Sequence, residues 1–195
     1  MKFFLASKNA GKIREFERIF SALGIDLISE KDLVDEMPEP IEDGRTFAEN
    51  ALIKARAGAA FTRLPAVADD SGLCVDALGG KPGIYSARYA GLHGDDAANN
   101  AKLLKELEGI PAAERTAHYA CAIACVFPDG REFTVSDKCE GLIDFCESGS
   151  EGFGYDPLFI SPVGKFSEIT ARQKDAVSHR GKAIRRFKEE IKKYL

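Results

Sequence analysis

The chain has 195 residues, of which 45% are hydrophobic and 30% charged, and this composition excludes a disordered or fibrous protein. Its net charge of −4 argues against a broad nucleic-acid-binding face, which needs a surplus of lysine and arginine. No apolar run approaches the ~20 residues that span a bilayer, no signal-peptide core forms, and the five cysteines lack a disulfide framework spacing. We therefore expect a cytoplasmic protein with reduced thiols and with neither a membrane nor a nucleic-acid partner.

The N-terminal segment predicts the opening of an α/β unit. Residues 2–7 predict a short buried strand, and a helix should follow from about Gly11 to Leu23, with Gly24 as its C-terminal stop. Residues 25–29 predict a second strand, and 30–44 form an acidic loop. The order of strand, loop and helix is typical of α/β folds.

The next segments combine a helix with an acidic strand end. Thr46 and Glu49 form a capping box, which predicts a helix extending to about Thr62. Ala66–Asp70 predicts a buried strand with the pair Asp69-Asp70 at its C-terminal end. A further helix is expected from Asp95 to Leu107.

The C-terminal half predicts a hairpin and a last helix. Two strands, 116–127 and 132–137, flank the turn Pro128-Asp129-Gly130, and this hairpin should form part of a second lobe. A strand is expected near 157–160, and the final helix should cover about Ser178 to Leu195.

The loop between the first strand and the first helix is a candidate phosphate site. It consists of Ser7, Lys8, Asn9, Ala10, Gly11 and Lys12. A strand-to-helix loop presents free amides at a positive helix end, and a hydroxyl, an amide and a lysine add to them. The spacing is not that of a P-loop, and ordinary capping of the helix explains the same residues.

The acidic pair is a candidate magnesium site. Mg²⁺ prefers oxygen ligands and retains waters, so Asp69 or Asp70, together with Glu42 and Glu49, suits an ion beside a polyphosphate. Adjacent strand residues point to opposite faces, so one aspartate should face the site while the other serves elsewhere. The alternative is that Asp-Asp-Ser-Gly is turn chemistry.

Two C-terminal motifs suit recognition of a flat, carbonyl-bearing ligand. In the segment 152–157, glycines allow close approach of the backbone, and either Phe153 or Tyr155 is placed to stack on a base, although a plain turn explains the segment too. Lys174, His179 and Arg180 supply donors at the mouth of the last helix. A solvated basic face explains the other cations of that helix.

Taken together, these motifs resemble the inosine triphosphate pyrophosphatase family, also called XTP/dITP diphosphatases. Seven motifs occur in the family's order over nearly the whole length, which makes the match specific. Two positions depart from the common pattern: Lys8 stands where glycine is frequent, and Asp175 where asparagine is common. The motifs span 7–12, 42–50, 52–55, 68–73, 79–89, 152–157 and 178–181.

The resemblance implies a mixed α/β fold, with a twisted central sheet, flanking helices and two lobes around a nucleotide cleft in a single domain over 1–195, usually as a homodimer. It implies Mg²⁺-dependent hydrolysis of ITP, dITP or XTP, which cleanses the nucleotide pool. Glu42 and Asp70 would bind Mg²⁺, with Asp70 also the proton acceptor. The residues implied to bind the substrate are Ser7, Asn9, Lys12, Lys54, Ser71, Phe153, Gly154, Tyr155, Asp156, Lys174, His179 and Arg180.

Two other functions remain open at this point. A Maf-like pyrophosphatase would act on modified pyrimidine nucleotides, and a nucleotide sensor would bind without catalysis. The Ser178-His179-Arg180 segment and the near-complete set of motifs speak against the first, and the carboxylates Glu42 and Asp70 against the second.

Overall fold

The protein, seen in a computed structural model that describes residues 2–21 and 24–194, has a mixed α/β fold. Within the described part of the chain, seven strands form a sheet of order β2-β1-β3-β4-β5-β6-β7. β1 pairs in parallel with β2 and β3, whereas β6 pairs antiparallel with β5 and β7. The strands are β1 (Lys2–Leu5), β2 (Asp26–Ser29), β3 (Ala66–Val75), β4 (Thr116–Val126), β5 (Glu132–Ile143), β6 (Phe159–Ser161) and β7 (Gly164–Lys165).

Helices alternate with the strands from β1 to β4, whereas β4–β7 follow one another directly and α4 and α5 close the chain. The predicted mixed α/β fold class, with a central sheet and flanking helices, is confirmed. No helix within residues 2–21 and 24–194 is long and apolar enough to cross a membrane. The helices are α1 (Ala10–Ser21), α2 (Phe47–Thr62), α3 (Asp96–Glu106), α4 (Ala171–Val177) and α5 (His179–Ile191). The predicted helix ends at Leu23 and Leu195 lie outside the described residues.

The described residues divide into two compact units. The first unit comprises residues within 1–70, 121–136 and 183–195, and the second comprises 71–120 and 137–182. The predicted hairpin therefore does not belong to the second unit alone, because its turn and adjoining strand segments lie in the first.

In the first unit, the sheet is buried on both faces. Phe3 and Leu5 of β1 contribute to one apolar cluster, together with Phe16 of α1 and Phe187 of α5. Phe4 contributes to the other cluster, which contains the alanines of α2. Side chains alternate between faces along a strand, so a strand covered on both sides is a continuous apolar run. This explains the uninterrupted apolar sequence of β1.

The second unit has its own apolar core. Leu73 and Val75 of β3 pack with Leu103 of α3 and with Phe159 and Phe166. The prediction that Asp69 and Asp70 end a strand is therefore wrong, because β3 continues through Ser71 and Gly72 to Val75. The burial of Leu73 and Val75 in this core outweighs the turn tendency of the preceding residues.

Among the strands and α-helices of the described residues, two short elements were not predicted. β7 has only two residues and α4 only seven, so neither displays enough of a repeat to be recognised from periodicity. Thr170 caps α4 by accepting a hydrogen bond from the backbone N–H of Gln173, and Ser178 ends it.

Candidate active site

The candidate site in the first unit is a carboxylate–lysine cluster, formed by Lys12, Glu42, Lys54, Asp69 and Asp70. Asp69 lies on the face of β3 that carries Val67, and Asp70 on the face that carries Ala68, because side chains alternate along a strand. These faces pack against α1 and α2 respectively. Each helix supplies one lysine, so each aspartate meets a different cation.

On the α1 side, Asp69 pairs with Lys12. The Lys12 Nζ atom lies 3.1 Å from Asp69 Oδ2, and Asp69 is 1% exposed. The Sγ atom of Cys121 lies 3.9 Å from the same carboxylate oxygen. Removing an ionised carboxylate from water costs several kcal/mol unless a charge and hydrogen bonds compensate it. Asp69 therefore holds Lys12, a role that the sequence did not reveal.

On the α2 side, Asp70 and Glu42 share Lys54. The Lys54 Nζ atom lies 3.2 Å from Glu42 Oε2 and 3.6 Å from Asp70 Oδ1. Asn50, which sequence reasoning missed, donates from Nδ2 to Asp70 Oδ2 at 3.1 Å. Asn50 follows the capping box by one residue, and no local pattern in the sequence connects it with Asp70.

Burial and charge act against each other on the pKa values of this pair. Burial raises the pKa of Asp70 above its ordinary value, although Lys54, Lys12 and the Asn50 hydrogen bond oppose the rise. Burial lowers the pKa of Lys54, but the carboxylates of Asp70, Asp69 and Glu42 together outweigh it and raise the value. Asp70 is thus a stronger base than an exposed aspartate, and Lys54 keeps its proton.

The carboxylates fit a divalent cation. Glu42 and Asp70 both present hard oxygen donors next to the Lys54 ammonium group, and Asn50 orients the second oxygen of Asp70. Mg²⁺ is commonly held by one or two carboxylates together with waters and substrate phosphates. Glu49, the other predicted candidate, has a structural role, because its Oε2 atom accepts the backbone N–H groups of Arg45 and Thr46 at 2.6 and 3.2 Å and completes the capping box of α2.

The loop before α1 combines capping with exposed donors. Asn9 Oδ1 accepts the backbone N–H of Lys12 at 3.0 Å, so the capping interpretation of this residue is correct. The cap uses only the oxygen of the Asn9 amide and leaves its nitrogen to other acceptors. Lys8 is half exposed and lies 3.7 Å from Glu30 and 3.9 Å from Glu39. Ser7 and Ala10–Lys12 complete the loop and the first turn of α1.

In the second unit, the residues of the predicted base pocket form a loop cluster, made of Phe153–Asp156, Lys174, His179 and Arg180. Asp156 Oδ2 accepts hydrogen bonds from the backbone N–H of Phe153 at 2.9 Å and from Lys174 Nζ at 2.6 Å. A Cβ atom on Gly152 would lie 2.1 Å from the same oxygen, so only glycine allows this close packing. The Asp156 carboxylate therefore shapes the loop from within.

The two aromatic residues of this loop have different environments. Tyr155 is 4% exposed, packs in the core, and donates its hydroxyl to the backbone carbonyl of Ser86 at 2.8 Å. Phe153 is only partly buried, and Lys174 Nζ and Arg180 Cζ lie 5.0 and 5.7 Å from its ring centre. Of the two stacking residues that the sequence left open, the structure thus favours Phe153.

His179 and Arg180 occupy the first turn of α5, as predicted. Arg180 Nη2 donates to Ser71 Oγ at 2.8 Å, which joins two predicted substrate residues. The ring of His179 stacks on Tyr119, with centroids 4.6 Å apart and planes 9° from parallel. Tyr119 is a buried strand residue that sequence reasoning missed, since aromatic residues in a strand ordinarily indicate only core.

The structure thus places every predicted site residue in one of two groups. Glu42, Lys54, Asp70 and the segment 7–12 lie in the first unit, and Ser71, Phe153–Asp156, Lys174, His179 and Arg180 lie in the second. Asp70 and Ser71 are consecutive residues of β3, so one of the four points at which the chain passes between the units falls at this peptide bond. These features define a mixed α/β protein with a carboxylate–lysine cluster and an aromatic–cationic loop cluster.

Comparison with known proteins identifies the family. The model of the Ham1 family matches residues 3–190. A dITP/XTP pyrophosphatase of Geobacter sulfurreducens is 51% identical over 96% of this chain and 94% of its own length, and one of Corynebacterium efficiens is 50% identical over 95% and 94%. The chain belongs to the Ham1 family, which confirms the family predicted from the motifs.

Solved structures agree with this placement. The Ham1 protein of Staphylococcus aureus has a TM-score of 0.86 at 36% identity, with complete coverage of both chains. A HAM1 protein of Coxiella burnetii has a TM-score of 0.87 at 36% identity and covers 99% of each chain. The fold described above is therefore that of the family.

Proposed function

We propose that this protein hydrolyses deaminated purine nucleoside triphosphates, namely ITP, dITP and XTP, to the monophosphate and pyrophosphate with the aid of Mg²⁺. The chain is a hydrolase of the dITP/XTP pyrophosphatase kind, the name that its close relatives carry. The metal and the inclusion of ITP go beyond those names and rest on the residues of the two clusters.

The observation that carries the proposal is the convergence of the partly exposed Glu42 and the buried Asp70 on Lys54. A pure binding site for a triphosphate needs cations, and two carboxylates beside them would repel the ligand. Carboxylates with a lysine suit a site in which a cation and a polyphosphate bind together. Lys12 and Lys54 would then release their carboxylate partners in part and bind phosphate oxygens.

Asp70 has the properties of a proton acceptor. Burial raises the pKa of its carboxyl, which increases its basicity, while Asn50 fixes the orientation of one oxygen. The Asp70 carboxylate would orient a water molecule and take its proton as the water oxygen bonds to the α-phosphorus. The bond between the α-phosphorus and its bridging oxygen breaks, and pyrophosphate leaves with its charge held by Lys12 and Lys54.

Glu42 and Asp70 would hold Mg²⁺, which when bound would neutralise charge on the phosphates and lower the pKa of bound water. The carboxylate of Asp69 has no part in this chemistry, because it lies on the face of β3 opposite Asp70, where it pairs with Lys12 in the absence of substrate. It keeps the Lys12 ammonium group beside the first turn of α1.

In this proposal, the loop cluster of the second unit selects the base. Lys174, His179 and Arg180 are donors, and hypoxanthine and xanthine present an acceptor oxygen where adenine presents an amino group. A buried donor that faces the adenine amino group has no acceptor and is left unpaired. In sites built around a hydrogen bond, such a mismatch lowers kcat/KM for the wrong substrate by roughly 10⁴-fold. Phe153 supplies a ring face for stacking of the base.

The experiment is product analysis of dITP hydrolysis in water labelled with ¹⁸O, in Mg²⁺ and in EDTA. We expect pyrophosphate and a monophosphate that carries the label, in Mg²⁺ only. Label in pyrophosphate, release of single phosphate, or full activity in EDTA would each contradict the proposal.

A substrate panel and one variant complete the test. Wild-type protein should cleave dITP, XTP and ITP and leave dUTP and methylated UTP largely intact, whereas a Maf-like enzyme would show the reverse. Asp70→Asn should abolish pyrophosphate release while dITP still binds. Binding without turnover in the wild type as well would indicate a nucleotide sensor.

A further inference from the structure

One residue of the base-binding loop is held by a helix that has no assigned role in the site. The backbone N–H of Gly154 donates to Asp96 Oδ2 at 2.7 Å, and the backbone carbonyl of Gly154 accepts from Asn100 Nδ2 at 3.1 Å. Asp96 and Asn100 are four residues apart in α3, so they lie one turn apart on the same helix face. A single face of α3 thus binds both polar backbone groups of one residue.

These two bonds are not needed to form the helix itself. The N-terminal cap of α3 is Asp95, which accepts the backbone N–H of Ala98 at 3.0 Å. Asn100 is 2% exposed, and a polar side chain is buried at a cost unless it makes hydrogen bonds. The bonds to Gly154 therefore serve the loop and not α3.

The contacts on Gly154 determine the position of Phe153. The amide that Asp96 binds belongs to the peptide after Phe153, and Asp156 Oδ2 binds the amide of the peptide before it. Gly154 itself has φ of +63°, a conformation that favours glycine. On the far side, Tyr155 is fixed in the core. Both peptides that flank Phe153 are thereby held before any ligand arrives.

We propose that Asp96 and Asn100 are positioning residues that hold Gly154 and thereby preorganise Phe153 for stacking on the nucleotide base. This inference rests on the proposed function and extends it to residues that do not touch the nucleotide. Fixing a binding loop in its bound conformation increases affinity because less ordering entropy is lost when the ligand binds. The effect is confined to ligands that carry a base.

The test compares three variants of α3 in the full-length protein. Asp96→Ala removes the acceptor for Gly154, Asp96→Asn keeps a neutral acceptor, and Asp95→Ala removes the helix cap without touching Gly154. Two quantities are measured: the hydrogen-exchange rate of the Gly154 amide in the ligand-free protein, and calorimetric binding of inosine monophosphate and of inorganic tripolyphosphate.

We expect Asp96→Ala to speed exchange at Gly154 and to weaken inosine monophosphate binding by roughly tenfold, the scale of one lost hydrogen bond to a charged group. Tripolyphosphate binding should stay at the wild-type level, because Lys12 and Lys54 lie in the other unit. Asp96→Asn should restore most of the loss. Asp95→Ala should leave Gly154 exchange and both affinities unchanged.

Some results would overturn the inference alone. These are equal behaviour of Asp96→Ala and Asp95→Ala, a parallel loss of both ligands, or unchanged exchange at Gly154. If the wild-type protein binds neither inosine monophosphate nor tripolyphosphate, the proposed function fails, and the base-positioning role fails with it.

Discussion

Replacing Lys54 with methionine should destabilise the ligand-free protein and make its stability depend on Mg²⁺. The substitution keeps an unbranched side chain of similar length and removes the ammonium group that lies between Glu42 and Asp70. The two carboxylates then face each other without the cation that separates them. Lys54 is therefore expected to contribute to folding as well as to substrate binding.

The magnitude follows from the two distances. At 3.2 and 3.6 Å, with an effective dielectric constant of about 20, each pair attracts by roughly 5 kcal/mol before desolvation is counted. The side chains of Lys54 and Asp70 are 15% and 13% exposed, and that of Glu42 is 30% exposed, so solvent screens the Lys54–Glu42 pair more than the Lys54–Asp70 pair. Burying the Lys54 ammonium group costs the wild type hydration energy, and the variant is spared that cost. We therefore expect a net loss of about 1–3 kcal/mol, smaller than the attraction alone. For a chain of this size that lowers Tm by roughly 3–9 °C.

Thermal unfolding in EDTA and in Mg²⁺ measures both parts of the prediction. Mg²⁺ binding to the paired carboxylates should restore roughly 2–3 kcal/mol when the free ion is about 100-fold above its dissociation constant. The same ion should stabilise the wild type less, because Lys54 already occupies the position between the carboxylates.

A matched control is Lys192→Met, which removes a solvent-exposed pair with Glu189 and should leave the Tm close to that of the wild type. The reasoning is refuted if Lys54→Met and Lys192→Met unfold at the same temperature in EDTA. It is refuted as well if Mg²⁺ raises the Tm of the wild type and of Lys54→Met equally.

Three further predictions concern single positions. Burial raises the pKa of Asp70, so the stability that its carboxyl contributes is present at low pH and is lost as pH rises through the native pKa. Asp70→Asn should therefore keep or raise the Tm at neutral pH without metal, while turnover falls by at least roughly 100-fold. A Tm below that of the wild type would contradict this prediction. Phe153→Ala should raise the KM for dITP by roughly tenfold or more, because stacking on the base is lost, whereas Phe153→Tyr should have a KM near that of the wild type. Equal KM values for Phe153→Ala and the wild type in steady-state kinetics would contradict the stacking role. Thr46→Ala removes the cap of α2, in which Thr46 Oγ1 accepts a hydrogen bond from the backbone N–H of Glu49 at 3.2 Å. It should lower the free energy of unfolding in urea by about 1 kcal/mol, and an unchanged urea midpoint would show that the cap is dispensable.

Much of the fold was predictable because local signals agreed with the tertiary structure. The Thr46–Glu49 capping box marked the start of α2, and the apolar run of β1 reflects burial on both faces. The end of β3 was misplaced because Asp-Asp-Ser-Gly has the composition of a turn. Alternation of Leu73 and Val75 beyond it was the signal that the strand continues.

The candidate site was predictable in its residue types but not in its pairings. Lysines and carboxylates stood out by chemistry, yet which aspartate meets Lys12 depends on which helix covers each face of β3. Asn50 and Tyr119 remained hidden, because a polar helix residue and a buried strand tyrosine have ordinary explanations in a sequence. Their contacts arise only when distant segments pack together.

The most direct measurement is a competition between dITP and dATP in one reaction with Mg²⁺, followed by release of each monophosphate. The ratio of the two rates gives the ratio of kcat/KM values without separate calibration of the enzyme. Our account predicts that deoxyinosine monophosphate and pyrophosphate form while dATP remains almost untouched. Equal consumption of the two nucleotides would contradict it.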